Sequence, residues 1–283
     1  MIKKSAILNL FILNLLLLLA GCREENLTPS ISLLFTTDVR NGEETPLTEK
    51  VDALLHPFEK EKEGVIEKEI PVDTNGRGNI EYLTGGKWHI SYWNIPSGEQ
   101  LYFDKSDNSI NLSQTDNYLQ EATPFYAGVS DFDYVPYKTV RLKLKPQTGV
   151  LTIVLILGDA TNLPETISGV LSGIVSKRIF GAQGMTISEQ GIGYVPLLFT
   201  STSDSPATYM ASYRLLGISN TQKCELVFPN DNPPVKIDLT AKLENFNNLT
   251  TNNTLCRIVY NEKKMEVTIK VIDWEEKDYE LDI

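Results

Sequence analysis

The stretch TVRLKLKPQTGVLTIVLIL, Thr139–Leu157, decides the fold class. Its first half puts Val140, Leu142 and Leu144 on one face and Arg141, Lys143 and Lys145 on the other, the period-two pattern of a half-exposed strand. Val150 to Leu157 is almost wholly apolar and rich in branched residues, as in a strand buried on both faces. Gln147-Thr148-Gly149 separates the two runs and reads as a turn.

The same alternation recurs outward from this stretch. Ile31, Leu33 and Phe35 alternate with polar neighbours, and Trp88, Ile90 and Tyr92 alternate with His89 and Ser91. Met265, Val267, Ile269 and Val271 alternate with Glu266, Thr268 and Lys270, and a last strand is expected through Tyr279, Leu281 and Ile283. Turn signals separate the runs at Asn41-Gly42, Asn75-Gly76, Gly85-Gly86, Pro96-Ser97-Gly98 and Pro229 to Pro234. One segment is ambiguous. Ile167, Val170, Leu171, Ile174 and Val175 have helical spacing, but Gly169 and Gly173 would each cost a helix about 1 kcal/mol, which tilts the segment toward strand. Short strands with frequent turns predict an all-β chain of antiparallel sandwiches. A boundary is expected near Val135-Pro136-Tyr137, giving domains over 30–137 and 138–283.

The N-terminus reads as an export signal. Lys3 and Lys4 precede an apolar run from Ala6 to Ala20, interrupted by Asn9 and Asn14 and shorter than the roughly 20 residues of a membrane-spanning helix. Leu19-Ala20-Gly21-Cys22 resembles the lipobox of bacterial lipoproteins, which implies removal of residues 1–21, acylation of Cys22, and a tether over 22–29. Multiple acyl chains hold a protein at a membrane where one chain binds marginally. The following Arg23-Glu24-Glu25-Asn26 resembles the signal by which some Bacteroidota lipoproteins reach the outer face of the outer membrane; read as residues alone, it is a charged, solvated tether.

Loss of Lys3 and Lys4 changes the formal charge from −11 to −13. This argues against nucleic-acid binding, which needs a basic footprint. Beyond Cys22 the cysteines are Cys224 and Cys256, both in strand-like runs. Export permits a disulfide between them if their strands oppose each other closely enough; two free, buried thiols fit the residues equally well.

Signals for catalysis are poor. The chain has two histidines, His56 in Leu55-His56-Pro57 and His89 opposite the Trp88 face, and neither has a ligand-spaced partner in sequence. Both read as surface or satisfied histidines, and no metal or cofactor is expected. Gly169 to Gly173 departs from the nucleophile-elbow spacing, and Gly191-Ile192-Gly193 lacks the third glycine of a dinucleotide fingerprint. Asp104 to Asn108 and Asp131-Phe132-Asp133 offer oxygen ligands without the spacing of a calcium hand. Tyr92, Trp93 and Tyr102 would form a sugar platform if exposed, or core if not.

Several segments together suggest a family. Leu83-Thr84-Gly85-Gly86-Lys87-Trp88, followed by Ile90-Ser91-Tyr92-Trp93-Asn94, resembles a strand of the FimB-type fimbrial anchor lipoproteins. Phe125 to Gly128, Thr139 to Leu142 and Gly149 to Ile153 are similar to their domain junction and the first strand of their second domain. Ser168 to Gly173, Leu215-Leu216-Gly217 and a closing strand Val267 to Ile272 before Asp273-Trp274-Glu275 fit the same plan. Lys145-Pro146 stands where those anchors would carry an arginine, which points to a divergent branch. The resemblance implies two tandem transthyretin-like sandwiches, no enzyme activity, and fimbrial subunits as partners. It also implies an outer-membrane location facing the exterior and growth by strand addition. The segment Tyr279, Leu281, Ile283 is either donated to a partner or paired within its own domain. Arg40 is either a protease site or part of a plain turn. The alternative function is a surface glycan-binding lipoprotein of sandwich type.

Overall fold

The computed structural model describes residues 29–38, 44–59, 64–95, 100–158, 164–204, 207–228, 233–248, 253–261 and 266–273. Cys22, Arg40, Tyr279, Leu281 and Ile283 lie outside them.

The chain is built almost wholly of strands. The first half contains β1 (Ser30–Asp38), β2 (Glu44–Pro46), β3 (Val51–Pro57), β4 (Ile66–Ile70), β5 (Arg77–Glu81), β6 (Gly86–Asn94), β7 (Leu101–Asp104), β8 (Ser109–Leu112), β9 (Gln114–Thr115), β10 (Tyr118–Leu119), β11 (Tyr126–Tyr134) and β12 (Thr139–Pro146). The second contains β13 (Gly149–Gly158), β14 (Thr166–Val175), β15 (Lys177–Gly181), β16 (Gly184–Ile187), β17 (Ile192–Asp204), β18 (Ala207–Leu215), β19 (Lys223–Val227), β20 (Val235–Asp238), β21 (Asn253–Asn261) and β22 (Glu266–Asp273). A short 3-10 turn, Thr240–Lys242, lies between β20 and β21. Among the described residues no helix is long and apolar enough to cross a membrane.

The first sheet runs β2-β1-β12-β11-β6-β3-β4, with β5 also on β1. The β11–β12 link is only the corner Tyr126↔Pro146 and Ala127↔Lys145, so the sheet folds into two layers. Ile31, Leu33, Phe35, Leu55, Trp88, Ile90, Leu142 and Leu144 fill the space between them. Tyr92 crosses the sandwich, and its hydroxyl donates to the Lys143 carbonyl at 2.9 Å. Gly128 makes room for that ring, since a Cβ there would lie 2.7 Å from it and 2.6 Å from the same carbonyl.

The second sheet runs β20-β19-β14-β17-β18-β13-β21-β22 and folds at the β17–β18 hairpin. This sets β14 over β13 and β19 over β21. Phe228, just after β19, and Tyr260, near the end of β21, stack with centroids 5.5 Å apart, in keeping with this facing.

Each sandwich contains one parallel pair, β1 with β12 and β13 with β21, within otherwise antiparallel sheets. The pairing of β12 with β1 moves the sheet boundary away from the expected 137/138 division. β12 belongs to the first sandwich because Leu142 and Leu144 are fully buried in its core, and sheet membership changes at Gln147-Thr148. β13 also differs from expectation. Leu151, Ile153 and Leu155 are buried while Val150, Thr152 and Val154 are half-buried, so only one face is sealed. The ambiguous segment is strand β14, which absorbs Gly173 as an irregularity at φ +78°.

A third sheet, β16-β15-β8-β7, takes two strands from each half of the chain. β8 and β15 pair through Asn111↔Lys177, Ile110↔Arg178 and Ser109↔Ile179. Beneath it Trp93 stacks on Phe103 at 4.3 Å and meets Phe180 at 5.2 Å. This seam is why Ser91 and Trp93, on the outer face of β6, are as buried as the core face.

Candidate functional site

Arg178 of β15 is the charged centre of the seam. Its Nε donates to the Leu216 carbonyl at 2.7 Å and its Nη1 to Gln147 Oε1 at 3.3 Å. Gln147 in turn donates to the Lys145 carbonyl at 3.0 Å. An arginine therefore stands at the domain junction, supplied by β15 rather than by position 145. Burial pushes its guanidinium down to about 10.

The residues that could carry chemistry are mostly occupied structurally. Asp104 Oδ1 accepts from the Ser106 amide at 2.9 Å and its hydroxyl at 2.7 Å, and Asp107 is held by Ser109 and Lys177, so this acidic run is the β7–β8 turn. Ser172 lies in β14, where its hydroxyl donates to the Lys223 carbonyl at 3.2 Å. Gly191 turns the chain into β17 with φ +74°. Among the described residues no group of three or more His, Cys, Asp or Glu side chains could hold a metal ion.

Tyr92 and Trp93 are fully buried, leaving Tyr102 exposed among the three aromatics of the expected sugar platform. Large exposed aromatics gather elsewhere. Tyr82 and Tyr137 both take left-handed backbone, at φ +63° and +62°, and both adjoin Ser30. Glu81 pairs with Ser30 in the ladder, and the Tyr137 amide donates to the Ser30 carbonyl at 2.8 Å. That end of the first sandwich is where β1 begins.

Cys224 and Cys256 are both buried thiols in the second core. They lie four residues before Phe228 and Tyr260 on facing strands, and Cys256 contributes to raising the Cys224 thiol. Burial is the main cause for both, pushing each up to about 12.

The two histidines are cross-strand neighbours, a pairing that sequence spacing could not show because β3 and β6 meet only through the sheet. His56 stands opposite His89, and His89 opposite Asp131 of β11, in one straight row. His89 Nδ1 and Asp131 Oδ1 are 2.8 Å apart. The imidazole centroids are 6.3 Å apart. The pair to His89 holds the Asp131 carboxyl below its ordinary range, and burial with the neighbouring ring lowers His56.

The sheet edges differ sharply. β2 is three residues long and ends at Pro46, β4 carries Glu67-Lys68-Glu69, and β20 is four residues long behind Pro233-Pro234. Such features blunt edge-to-edge pairing. β22 is eight residues long, in unbroken antiparallel register with β21 from Asn261↔Glu266 to Thr254↔Asp273, and terminates the sheet on its other side among the described residues. A groove of about 350 Å³, lined by Lys242, Phe246, Thr254, Ile269 and Lys270, opens between the 3-10 turn and this strand.

No protein-family model matches the sequence, and no curated protein matches it significantly. Solved structures do. The fimbrial anchor protein Mfa2 from Porphyromonas gingivalis superposes with TM-score 0.62 at 12% identity, covering 87% of this chain and 97% of that one. A candidate adhesin from Bacteroides thetaiotaomicron gives 0.64 at 12% identity, covering 89% and 98%. A candidate polysaccharide-binding protein from the same organism gives 0.63 at 11% identity, covering 88% and 99%. At this identity the likeness is one of fold, and it extends through both sandwiches.

Proposed function

We propose that the chain is a non-catalytic surface lipoprotein, held by lipid on Cys22, that serves as anchor or accessory component of a fimbria. The observation that carries this reading is the β22 edge. Its backbone ladder is long and regular, while the other described edges are short, densely charged or flanked by proline. Strand addition takes its affinity from main-chain hydrogen bonds and its register from alternate side-chain pockets, and the groove beside Ile269 supplies such a recess. The segment Tyr279, Leu281, Ile283 follows this edge in sequence and is the piece to be donated to a partner or paired internally. The match in fold to an anchor protein and a candidate adhesin supports the reading. The lipid-bearing Cys22 precedes β1 in sequence and the β22 edge closes the second sandwich, consistent with one end of the chain for the membrane and one for the fibre. Burial of Tyr92 and Trp93 leaves Tyr102 as the exposed member of the three aromatics named for the glycan-binding alternative.

The test is surface crosslinking on whole cells followed by affinity capture, with Cys22→Ala as control. The wild-type chain is expected in the membrane fraction and with sheared surface fibres, and the variant in neither. Absence from the sheared material while fibres are present would overturn the fimbrial role.

A further inference from the structure

We propose that His56 and His89 form a two-imidazole site for a divalent transition-metal ion of the zinc or copper class, with Asp131 as the positioning residue. The chain has two histidines in 283 residues, and the fold sets them directly opposite each other on β3 and β6. Two imidazoles sharing a tetrahedral ion through bonds of about 2.0–2.1 Å hold their centroids roughly 5 Å apart, and the spacing widens past about 6 Å only as the angle at the metal approaches linear. The observed 6.3 Å is about 1 Å wider than tetrahedral chelation requires, a gap that side-chain rotation of the two partly exposed rings would close on binding.

Asp131 adds what an accidental pair would lack. Its carboxylate lies 2.8 Å from His89 Nδ1, so in the neutral ring the proton is held on Nδ1 and Nε2 is the nitrogen that would coordinate. A carboxylate behind an imidazole orients it and raises its basicity as a ligand. Both histidines are partly buried, with the His89 side chain 23% exposed, so each ring has restricted freedom but is open to solvent. Imidazole suits zinc and copper among the common divalent ions. The neighbouring cation, Lys87, lies 3.6 Å from Asp131 Oδ2 and over the Phe58 ring at 4.5 Å, so it is held back from the ring pair. With two protein ligands, the remaining coordination positions stay available to water or to a ligand from outside the chain.

The experiment is titration of the purified chain with ZnCl2 by isothermal calorimetry, and with CuCl2 by electron paramagnetic resonance, which counts coordinated nitrogens. One ion per chain and two equivalent nitrogens are expected. His56→Gln and His89→Gln should each weaken binding at least about tenfold and leave one nitrogen on copper. Asp131→Asn should weaken it by about 10- to 100-fold with both nitrogens retained, the signature of a positioning role. Circular dichroism and thermal melts of the three variants establish that they fold. Absence of stoichiometric binding to the wild type, or binding unchanged in His56→Gln and His89→Gln, would overturn the site and attribute any residual uptake to the acidic surface.

Discussion

The seam between the sandwiches and the edge at β22 put the same backbone chemistry to opposite uses. At the seam, β8 and β15 arrive from different halves of the chain and pair over three residues. Trp93, Phe103 and Phe180 pack beneath them, and Arg178 bonds across to Gln147. At the edge, β22 offers eight residues of ladder with far less apolar cover, Val267 being 36% exposed. A ladder that is short but roofed by aromatics seals the molecule to itself. A longer ladder with less cover among the described residues is, under the proposed function, the one offered to another chain. On that reading side-chain cover, rather than the count of hydrogen bonds, separates cohesion from recruitment.

The largest effect should come from breaking the seam. Trp93→Ala removes the central ring of the aromatic group from a site 2% exposed. A loss of about 3–5 kcal/mol is expected, read as a lower midpoint in urea unfolding. Because the second core runs continuously into the seam, the transition should stay cooperative. Two separate transitions would show that the seam is weaker than the aromatic packing implies.

Alkaline titration comes next and probes the support beneath the edge. Cys256 lies on β21, the strand that carries β22, and faces Cys224 on β19. Both thiols titrate near 9 when unfolded and at about 12 when folded. A raised folded value means the native state holds its protons longer, so this stabilisation is complete below pH 9 and is lost as pH rises from 9 towards 12. The slope is about 1.4 kcal/mol per pH unit for each thiol, and Tyr92, also raised by burial, adds to it above pH 10. Urea melts from about pH 7.5 to about 10.5, a range that spans the ordinary thiol value, should show the decline. Cys224→Ala with Cys256→Ala should flatten it below pH 10, where Tyr92 begins to contribute. Mass measurement after alkylation of the unfolded chain reports whether the two had joined.

How far these regions were legible in the sequence follows from the range of the interactions. Alternation placed Ile31, Leu33, Phe35, Trp88, Ile90, Leu142 and Leu144 correctly, because facing a core is a local, period-two property. The parallel partnership of β12 with β1 was not legible, since no local pattern tells a strand which distant neighbour it joins, and the boundary at 137/138 shifted for that reason. Trp93 gave no hint of the seam, as its cover comes from β7 and β15. The row of His56, His89 and Asp131 was hidden likewise: register across three strands is a property of the sheet. The edge was partly legible, from the even alternation Val267, Ile269, Val271, whereas Pro46, Pro233-Pro234 and Glu67-Lys68-Glu69 became informative only once they were seen to guard the other edges.

A third change separates recruitment from folding at the edge itself. Val267→Lys puts a charge on the apolar face of β22 at its partly exposed end, Val267 being 36% exposed, and an inward-pointing charge is a common device against strand pairing. Stability should stay within about 0.5 kcal/mol of wild type. Capture of the fibre partner should fall about tenfold or more, or ~1.4 kcal/mol. Equal losses in both measurements would mean that β22 serves only its own domain.

The smallest effect on stability is expected from the converse change on β4, the guarded edge of the first sandwich. Glu67 pairs with Lys105 at 2.7 Å and Glu69 with Lys50 at 2.8 Å, all four side chains being more than half exposed. Such pairs contribute about 0.2–1 kcal/mol at most, so Glu67→Val with Glu69→Val should barely move the unfolding midpoint. Valine also suits a strand, which offsets part of the loss. The consequence should instead appear between molecules. With both carboxylates replaced, β4 would run from Ile66 to Ile70 with Lys68 as its one remaining charge, a largely apolar edge. Light scattering should then show association that rises with concentration. A variant that stays monomeric would mean that the shortness of β4, five residues against eight, protects it without help from its charges. Length would then be what distinguishes the edge that recruits from the edge that does not.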